Sequence, residues 1–292
     1  MIKQPALDIS STGERTIIDL RKAGWKEVAV LGKYHYTHAR KQLPSHTHHQ
    51  MMEICFCSKG EQLYEVNGEY YTIKGGDIFI TYPGEWHGTG VYGEEKGELY
   101  WMIINVDGKN SGSFLHFNSE LAREWRKQLL QLPRHFKGNR LMKIGLEKIF
   151  SLHAEKKSRI NRIYMQQQVA DFLLDVISSS RTPGNTQKTE RLENMNRYIQ
   201  EHIDERITLS ELAELTGLSL SRFKAWCKEE TGSTPLDHIL RAKIKVAKQK
   251  LQRKKTTIAS VAYEMGFQNP QYFATVFKRF TGTTPGEYRK NL

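Results

Sequence analysis

Cysteine is scarce in this chain: three residues, Cys55, Cys57 and Cys227, among 292. They are too few and too scattered for a disulfide framework or a four-ligand zinc site, which points to a reducing compartment. Cys55 and Cys57 sit in a strand-like run and read as core packing. Long hydrophobic runs are missing too. No apolar stretch approaches the ~20 residues that span a bilayer, and the N-terminus MIKQPALDISST has no signal-peptide-like apolar segment. The reading therefore excludes a membrane-spanning segment and expects a cytoplasmic protein. Acidic residues are in deficit, 32 against 44 Lys and Arg, for a net charge of +12. That balance favours a polyanionic partner without separating nucleic acid from acidic lipid.

The chain has room for two domains, each with its own core. From Glu27 to about Val106, runs rich in Val, Ile, Tyr and Phe alternate with Gly, Pro and Asn turns: EVAVLGKYHY, MMEICFCSKG, QLYEVNGEYYTI, GGDIFITYPGEW and GELYWMIINV. Many short strands at even spacing predict a barrel or sandwich. Val66-Asn67-Gly68-Glu69 is the clearest hairpin, because Asn-Gly readily takes the positive φ angles of a type I′ turn. After Asn118 the period changes to helical. SELAREWRKQLLQL, LMKIGLEKIFSLHAE and INRIYMQQQVADFLLDVI read as amphipathic helices beside the barrel, and residues 178–188, polar with a Pro-Gly, read as an interdomain linker.

The last hundred residues contain an internal echo. Phe223, Lys228, Thr231, Gly232, Thr234 and Pro235 recur fifty positions on as Phe273, Lys278, Thr281, Gly282, Thr284 and Pro285. Each copy reads as helix, glycine turn, helix. Thr208 or Ser210 can cap the first helix, Gly217 makes the turn and Ser219 caps the second; in the other copy Thr257, Gly266 and Asn269-Pro270 take those roles. Between the copies lies one helical stretch, and Arg241 to Lys255 holds eight basic residues and no acidic one. A helix-turn-helix inserts its second helix into the major groove, and sites on one face of DNA lie ~34 Å apart. A connecting helix can hold two such units, with its basic residues neutralising phosphates.

The segment Gly266-Phe267-Gln268-Asn269-Pro270-Gln271-Tyr272-Phe273, followed by Phe277-Lys278-Arg279-Phe280-Thr281-Gly282-Thr283-Thr284-Pro285 and Tyr288-Arg289, resembles the signature of AraC/XylS-type transcriptional regulators. The resemblance implies a seven-helix DNA-binding domain with two recognition helices in adjacent major grooves, and an N-terminal sensing domain that is frequently a cupin. Phe223 and Trp226 should point inward, leaving Ser221, Arg222, Lys224 and Lys228 accessible. In the second unit Phe273, Val276 and Phe277 face the core, leaving Gln271, Tyr272, Ala274, Thr275, Lys278 and Arg279. By position in the family pattern, Ser221, Lys224, Gln271 and Thr275 reach base edges, while the cations nearer the helix ends hold phosphates.

His46-Thr47-His48 with Glu53 and Gly60 resembles a first cupin motif, and Pro83-Gly84-Glu85-Trp86-His87 a second, although Val91 stands where that motif ends in Asn. Two His at i,i+2 share a face of a strand, and a Glu and a third His from other strands can close a divalent metal site. Three readings stay open. A metal-dependent cupin enzyme would use His46, His48, Glu53 and His87 as ligands. A sensor would use the same groups to bind an effector, with Tyr64, Tyr82, Trp86 and Trp101 stacking on it or walling the cavity. Otherwise the histidines belong to a solvated loop.

The expectation is a non-enzymatic, multidomain α and β protein. It comprises a cupin-like β-barrel sensor at 1–117, helices for packing or dimerisation at 118–177, a linker at 178–188 and a DNA-binding domain with two helix-turn-helix units at 189–292. No cofactor is expected, a divalent metal being the exception the histidines allow. The expected partners are double-stranded DNA, a small-molecule effector for which the aromatic and polar lining suits a sugar, RNA polymerase and a second copy of the chain.

Overall fold

The computed structural model describes residues 7, 9–25, 27–90, 92–107, 114–115, 117–139, 141–155, 158–182, 186–252 and 256–290. Val91 and the basic residues 253–255 lie outside that set. The first half forms strands β1 (Arg15–Asp19), β2 (Val28–Tyr36), β3 (Met51–Val66), β4 (Glu69–Lys74), β5 (Asp77–Thr81), β6 (His87–Gly88), β7 (Gly97–Asn105) and β8 (His135–Lys137). The sheet runs β1-β2-β7-β3-β5-β8, with β4 and β6 also paired to β3. This order has two ends, so the expected barrel is, among the described residues, a sheet that does not close. Two runs separated by Gly60 prove to be one 16-residue strand, β3. Asn67 and Gly68 take φ of 51° and 89° between Val66 and its partner Glu69, as the type I′ turn requires.

The period of β3 distributes its side chains. Met52, Ile54 and Phe56 face one core with Tyr100, Met102 and Ile104. Helices α1 (Ser119–Leu130), α2 (Leu141–Ala154) and α3 (Arg159–Ser180) close that core with Leu129, Leu146, Ile149, Phe172, Leu173 and Val176. Each such side chain stabilises by about 1.5–3 kcal/mol when fully buried. Alternating with them, Cys55 and Cys57 join Tyr34, Tyr64, Phe79, Leu99 and Trp101 in a second core on the sheet's other face. Both thiols are free and buried, the packing role expected. Most of the 178–188 stretch is helix, since α3 reaches Ser180 and α4 starts at Thr186; 183–185 lie outside the described residues.

Seven helices follow among the described residues: α4 (Thr186–Glu201), α5 (Leu209–Leu215), α6 (Leu220–Thr231), α7 (Pro235–Leu251), α8 (Ile258–Glu264), α9 (Pro270–Thr281) and α10 (Pro285–Lys290). Their starts follow the sequence chemistry. Thr208 and Thr257 form capping boxes with Glu211 and Ser260, and Ser219 and Asn269 cap α6 and α9. Gly217 and Gly266 take φ of 65° and 66° at the turns. Each unit has its own core, Phe223 and Trp226 in one, Phe273, Val276 and Phe277 in the other.

The charges of α7 depart from expectation. The buried Lys243 ammonium donates to the carbonyls of Ile203, Glu205 and Met265 at 2.7, 2.7 and 2.8 Å, tying the two units together. Burial pushes its pKa down to about 8. Arg241 pairs with Glu95 and Lys250 with Glu264. Lys248 lies over the Tyr92 and Tyr288 rings, so Lys245 alone among the described basic residues of α7 is exposed.

The helical half docks on the sheet through the ends of both recognition helices. Gly232, the C-cap of α6, lies so close to Gly75 that a Cβ on Gly75 would sit 2.0 Å from the Gly232 Cα. Its carbonyl accepts from the Gly60 amide at 3.2 Å. Near the C-cap of α9, the Arg279 carbonyl accepts from the Ala39 amide at 3.3 Å. Asp237 accepts from Lys96 at 2.8 Å and from Arg279 at 3.2 Å.

Candidate functional site

Glu53 is set by the period of β3 on the same face as Cys55, where burial would be prohibitive for a lone carboxylate. Three histidines answer it. His48 Nε2 stands 3.2 Å and His87 Nε2 3.6 Å from Glu53 Oε2, and the His46 and His87 rings lie 4.3 Å apart. His46 and His48 are not on a regular strand as expected; His46 instead forms an isolated antiparallel bridge with His87, which is on β6. Carbonyls orient two of the rings. His46 Nδ1 lies 2.9 Å from the Pro44 carbonyl and His87 Nδ1 3.1 Å from the Glu85 carbonyl. A carbonyl only accepts, so each Nδ1 donates and each Nε2 turns toward the cluster.

The titration behaviour follows the packing. Burial would raise the Glu53 carboxyl, but His48 and His87 hold it well below the ordinary carboxylate value. Burial works to lower His87, yet the Glu53 carboxylate leaves it raised. His46, desolvated and beside His87, is lowered. Charge thus concentrates on the Glu53–His87 pair. The donor set also fits a divalent first-row transition ion: one ligand atom from each of His46, His48, Glu53 and His87 lies within 4.8 Å of the others. His87 Nε2 is buried with no hydrogen-bond partner, the group such an ion would satisfy.

A cavity of about 230 Å³ opens beside the cluster, with His46, His48, Glu53, Tyr64 and Trp101 in its wall. Gly32 shapes it, because a Cβ there would lie 2.0 Å from the Trp101 ring. Three other candidates do not line it. Tyr82 points to the helix side, where its hydroxyl donates to the Leu132 carbonyl. Trp86 is 45% exposed beside the Asn67 turn, and His87 meets the cluster from behind. Sequence reasoning missed Tyr34, Arg15 and Glu94, which line the cavity. Arg15 stacks over Trp101 at 4.7 Å. The Tyr34-x-Tyr36 alternation on β2 was the one available signal.

On the helical half, Ser221, Arg222, Lys224 and Lys228 of α6 and Gln271, Tyr272, Thr275 and Lys278 of α9 are exposed. Arg279 does not join them; it is half-buried, paired with Asp237 and stacked on Phe280 at 5.0 Å. Thr275 donates its hydroxyl proton to the Gln271 carbonyl at 3.1 Å, and the side chain stays exposed.

Comparisons with known proteins agree with both halves. Residues 33–137 match the family described as AraC-like ligand binding domain, and residues 212–291 match a helix-turn-helix domain. The chain is 26% identical over 276 residues to the MmsAB operon regulatory protein of Pseudomonas aeruginosa, covering 88% of this chain and 81% of that protein. It is 25% identical over 283 residues to the HTH-type transcriptional activator RhaS of Klebsiella pneumoniae, covering 93% and 95%. Among solved structures, the DNA-binding domain of AdpA in complex with a target DNA matches 35% of this chain and 91% of that chain, at 26% identity and a TM-score of 0.33. No helix among the described residues is long and apolar enough to cross a membrane. With ligand-binding and helix-turn-helix regions matched in this order, the chain is a DNA-binding transcriptional regulator of the AraC family.

Proposed function

We propose that the chain is a transcription activator whose DNA binding responds to a small polar effector held in the N-terminal cavity. The observation that carries this is the 230 Å³ cavity, with a buried Glu53–His cluster on one wall and Trp101 and Tyr64 on another, inside a ligand-binding domain. A hydroxyl-rich ligand of monosaccharide size matches these groups, the polar ones taking hydroxyls and an indole face taking C–H groups. The relatives named as activators support the same polarity. We take residues 1–117 as the sensing unit, 118–177 as the helices that pack on it and pair two chains, and 189–292 as the DNA-reading unit. Effector binding shifts the population of arrangements in which the helices, the 178–188 segment and the partner chain present the two recognition helices to DNA and to RNA polymerase.

The test is binding of the full chain to its own promoter fragment with and without a panel of monosaccharides. Trp101→Ala should remove the response at unchanged effector-free affinity. A response equal to wild type in that variant, or no sugar that raises the melting temperature, contradicts the assignment.

A second reading is favoured by the orphaned His87 Nε2. His46, His48, Glu53 and His87 would hold a divalent metal there, and the ion would supply a Lewis-acidic anchor for an oxygen-bearing effector. Elemental analysis of the purified chain should then show stoichiometric metal that is lost in His48→Ala; metal-free wild type contradicts it. Turnover by the metal-loaded chain would point instead to a cupin enzyme fused to a DNA-binding domain.

A further inference from the structure

A larger cavity, about 410 Å³, lies between the two halves of the molecule. One wall is the strand pair β3/β4 and the loop at Tyr92; the other is α7 with α4, the end of α9 and Tyr288 of α10. Its charge is unbalanced. Lys74, Arg241, Lys245 and Lys248 face two carboxylates, Glu61 and Glu95, and Glu95 is engaged by Arg241. Lys74, Lys245 and Lys248 form no ion pair within 4.0 Å among the described residues. His238, also in the wall, reports the same field: burial first, then Lys74 and Arg241, push its pKa down to about 4.

The apolar side of the cavity comes from both domains as well. The Lys248 ammonium lies 5.0 Å from the Tyr92 ring centroid and 5.8 Å from that of Tyr288. It is a cation held between two aromatic faces, one from each half; the carboxylate whose charge reaches it, Glu95, is engaged by Arg241 and forms no close ion pair with it. Burial accordingly lowers its pKa. An anion entering here gains a partly desolvated ammonium, where pairing is screened less than at the surface.

We propose that this interdomain cleft is a second small-molecule site, taking an organic anion with a flat apolar body. The acid group pairs with Lys245 and Lys248, and the body lies along Tyr92, Tyr288 and Phe280. Because its walls come from both halves, such a ligand binds only the docked arrangement and stabilises it. The site is separate from the His–Glu cavity, with which it shares no lining residue.

The probe for this chemistry is 8-anilinonaphthalene-1-sulfonate, an aromatic anion, titrated by fluorescence into the full, DNA-free chain. One saturable site is expected, with its dissociation constant raised at least tenfold in the double variant K245E/K248E and also in K74E. Those substitutions sit on opposite walls, so K74E keeps the test open should the double variant lower the melting temperature. His48→Ala should bind the probe as wild type does. No saturable binding by wild type, wild-type affinity in K74E, or loss of binding in His48→Ala overturns the proposal.

Discussion

Lys243 carries a structural task that its place in a basic run conceals. Its ammonium satisfies three carbonyls drawn from both helix-turn-helix units, so Lys243→Met should leave them unpaired in a buried place. We expect a loss of roughly 2–4 kcal/mol in urea unfolding, against under about 0.5 kcal/mol for the exposed Lys245→Met. Glu98 gives a pH prediction. Burial would raise its carboxyl, but hydrogen bonds from Lys143 and Ser58 and the nearby Lys59 hold it at about 2. A depressed folded-state pKa contributes stability above the ordinary carboxylate value of about 4.3, and that contribution fades as pH falls toward about 2. Glu98→Gln should flatten the fall in urea midpoint over that range. Neither role was legible beforehand, because a Lys in a run of Lys and a Glu in a strand look solvated until the fold surrounds them. His46, His48, Glu53 and His87 were legible as a cluster. Tyr82 and Trp86 were misassigned to the cavity because the strand period fixes a side chain's face only where the chain stays in the strand, and both stand at its end or beyond.

Among the elements, the two glycine turns look alike in sequence yet differ in space. A Cβ on Gly217 meets nothing within 4 Å, whereas one on Gly266 comes within 2.8 Å of the Asp204 carbonyl oxygen and 2.9 Å of that of Glu205. Gly217→Ala should therefore cost only the left-handed backbone penalty, roughly 1–2 kcal/mol. Gly266→Ala adds a backbone clash and should lower the melting temperature well beyond that; equal shifts in the two variants would contradict the geometry. Helix starts were readable from Thr208, Ser219, Thr257 and Asn269 because a side-chain cap is a local interaction. Strands β1 and β8 escaped detection. β8 is three residues at the sheet edge, His135–Lys137, and takes its conformation from pairing with β5 rather than from its own pattern. The amphipathic helices after Asn118 were likewise readable as periodic but not as to partner: Val169, Phe172, Leu173, Val176 and Ile177 pack into the chain's own core, while Leu121 is exposed.

At the scale of the molecule, two halves were legible: the strand-rich segment with the helices after Asn118 that pack on it, and the repeated helical units beyond the 178–188 stretch. Their docking was not, since it rests on two glycines and a few ion pairs that carry no pattern. Gly75 tolerates no side chain against Gly232, so Gly75→Val should separate the halves. We expect a larger radius of gyration in small-angle scattering with each half still folded by circular dichroism; an unchanged radius would show the contact to be dispensable. The central claim is that one chain reads DNA with two unlike helices, Ser221 and Lys224 on α6, Gln271 and Thr275 on α9. Hydroxyl-radical footprinting on the chain's own promoter fragment tests it directly. The account predicts two protected patches about 10 base pairs apart, with Lys224→Ala weakening one and Gln271→Ala the other. A single patch, or two variants that weaken the same patch or neither, would contradict it.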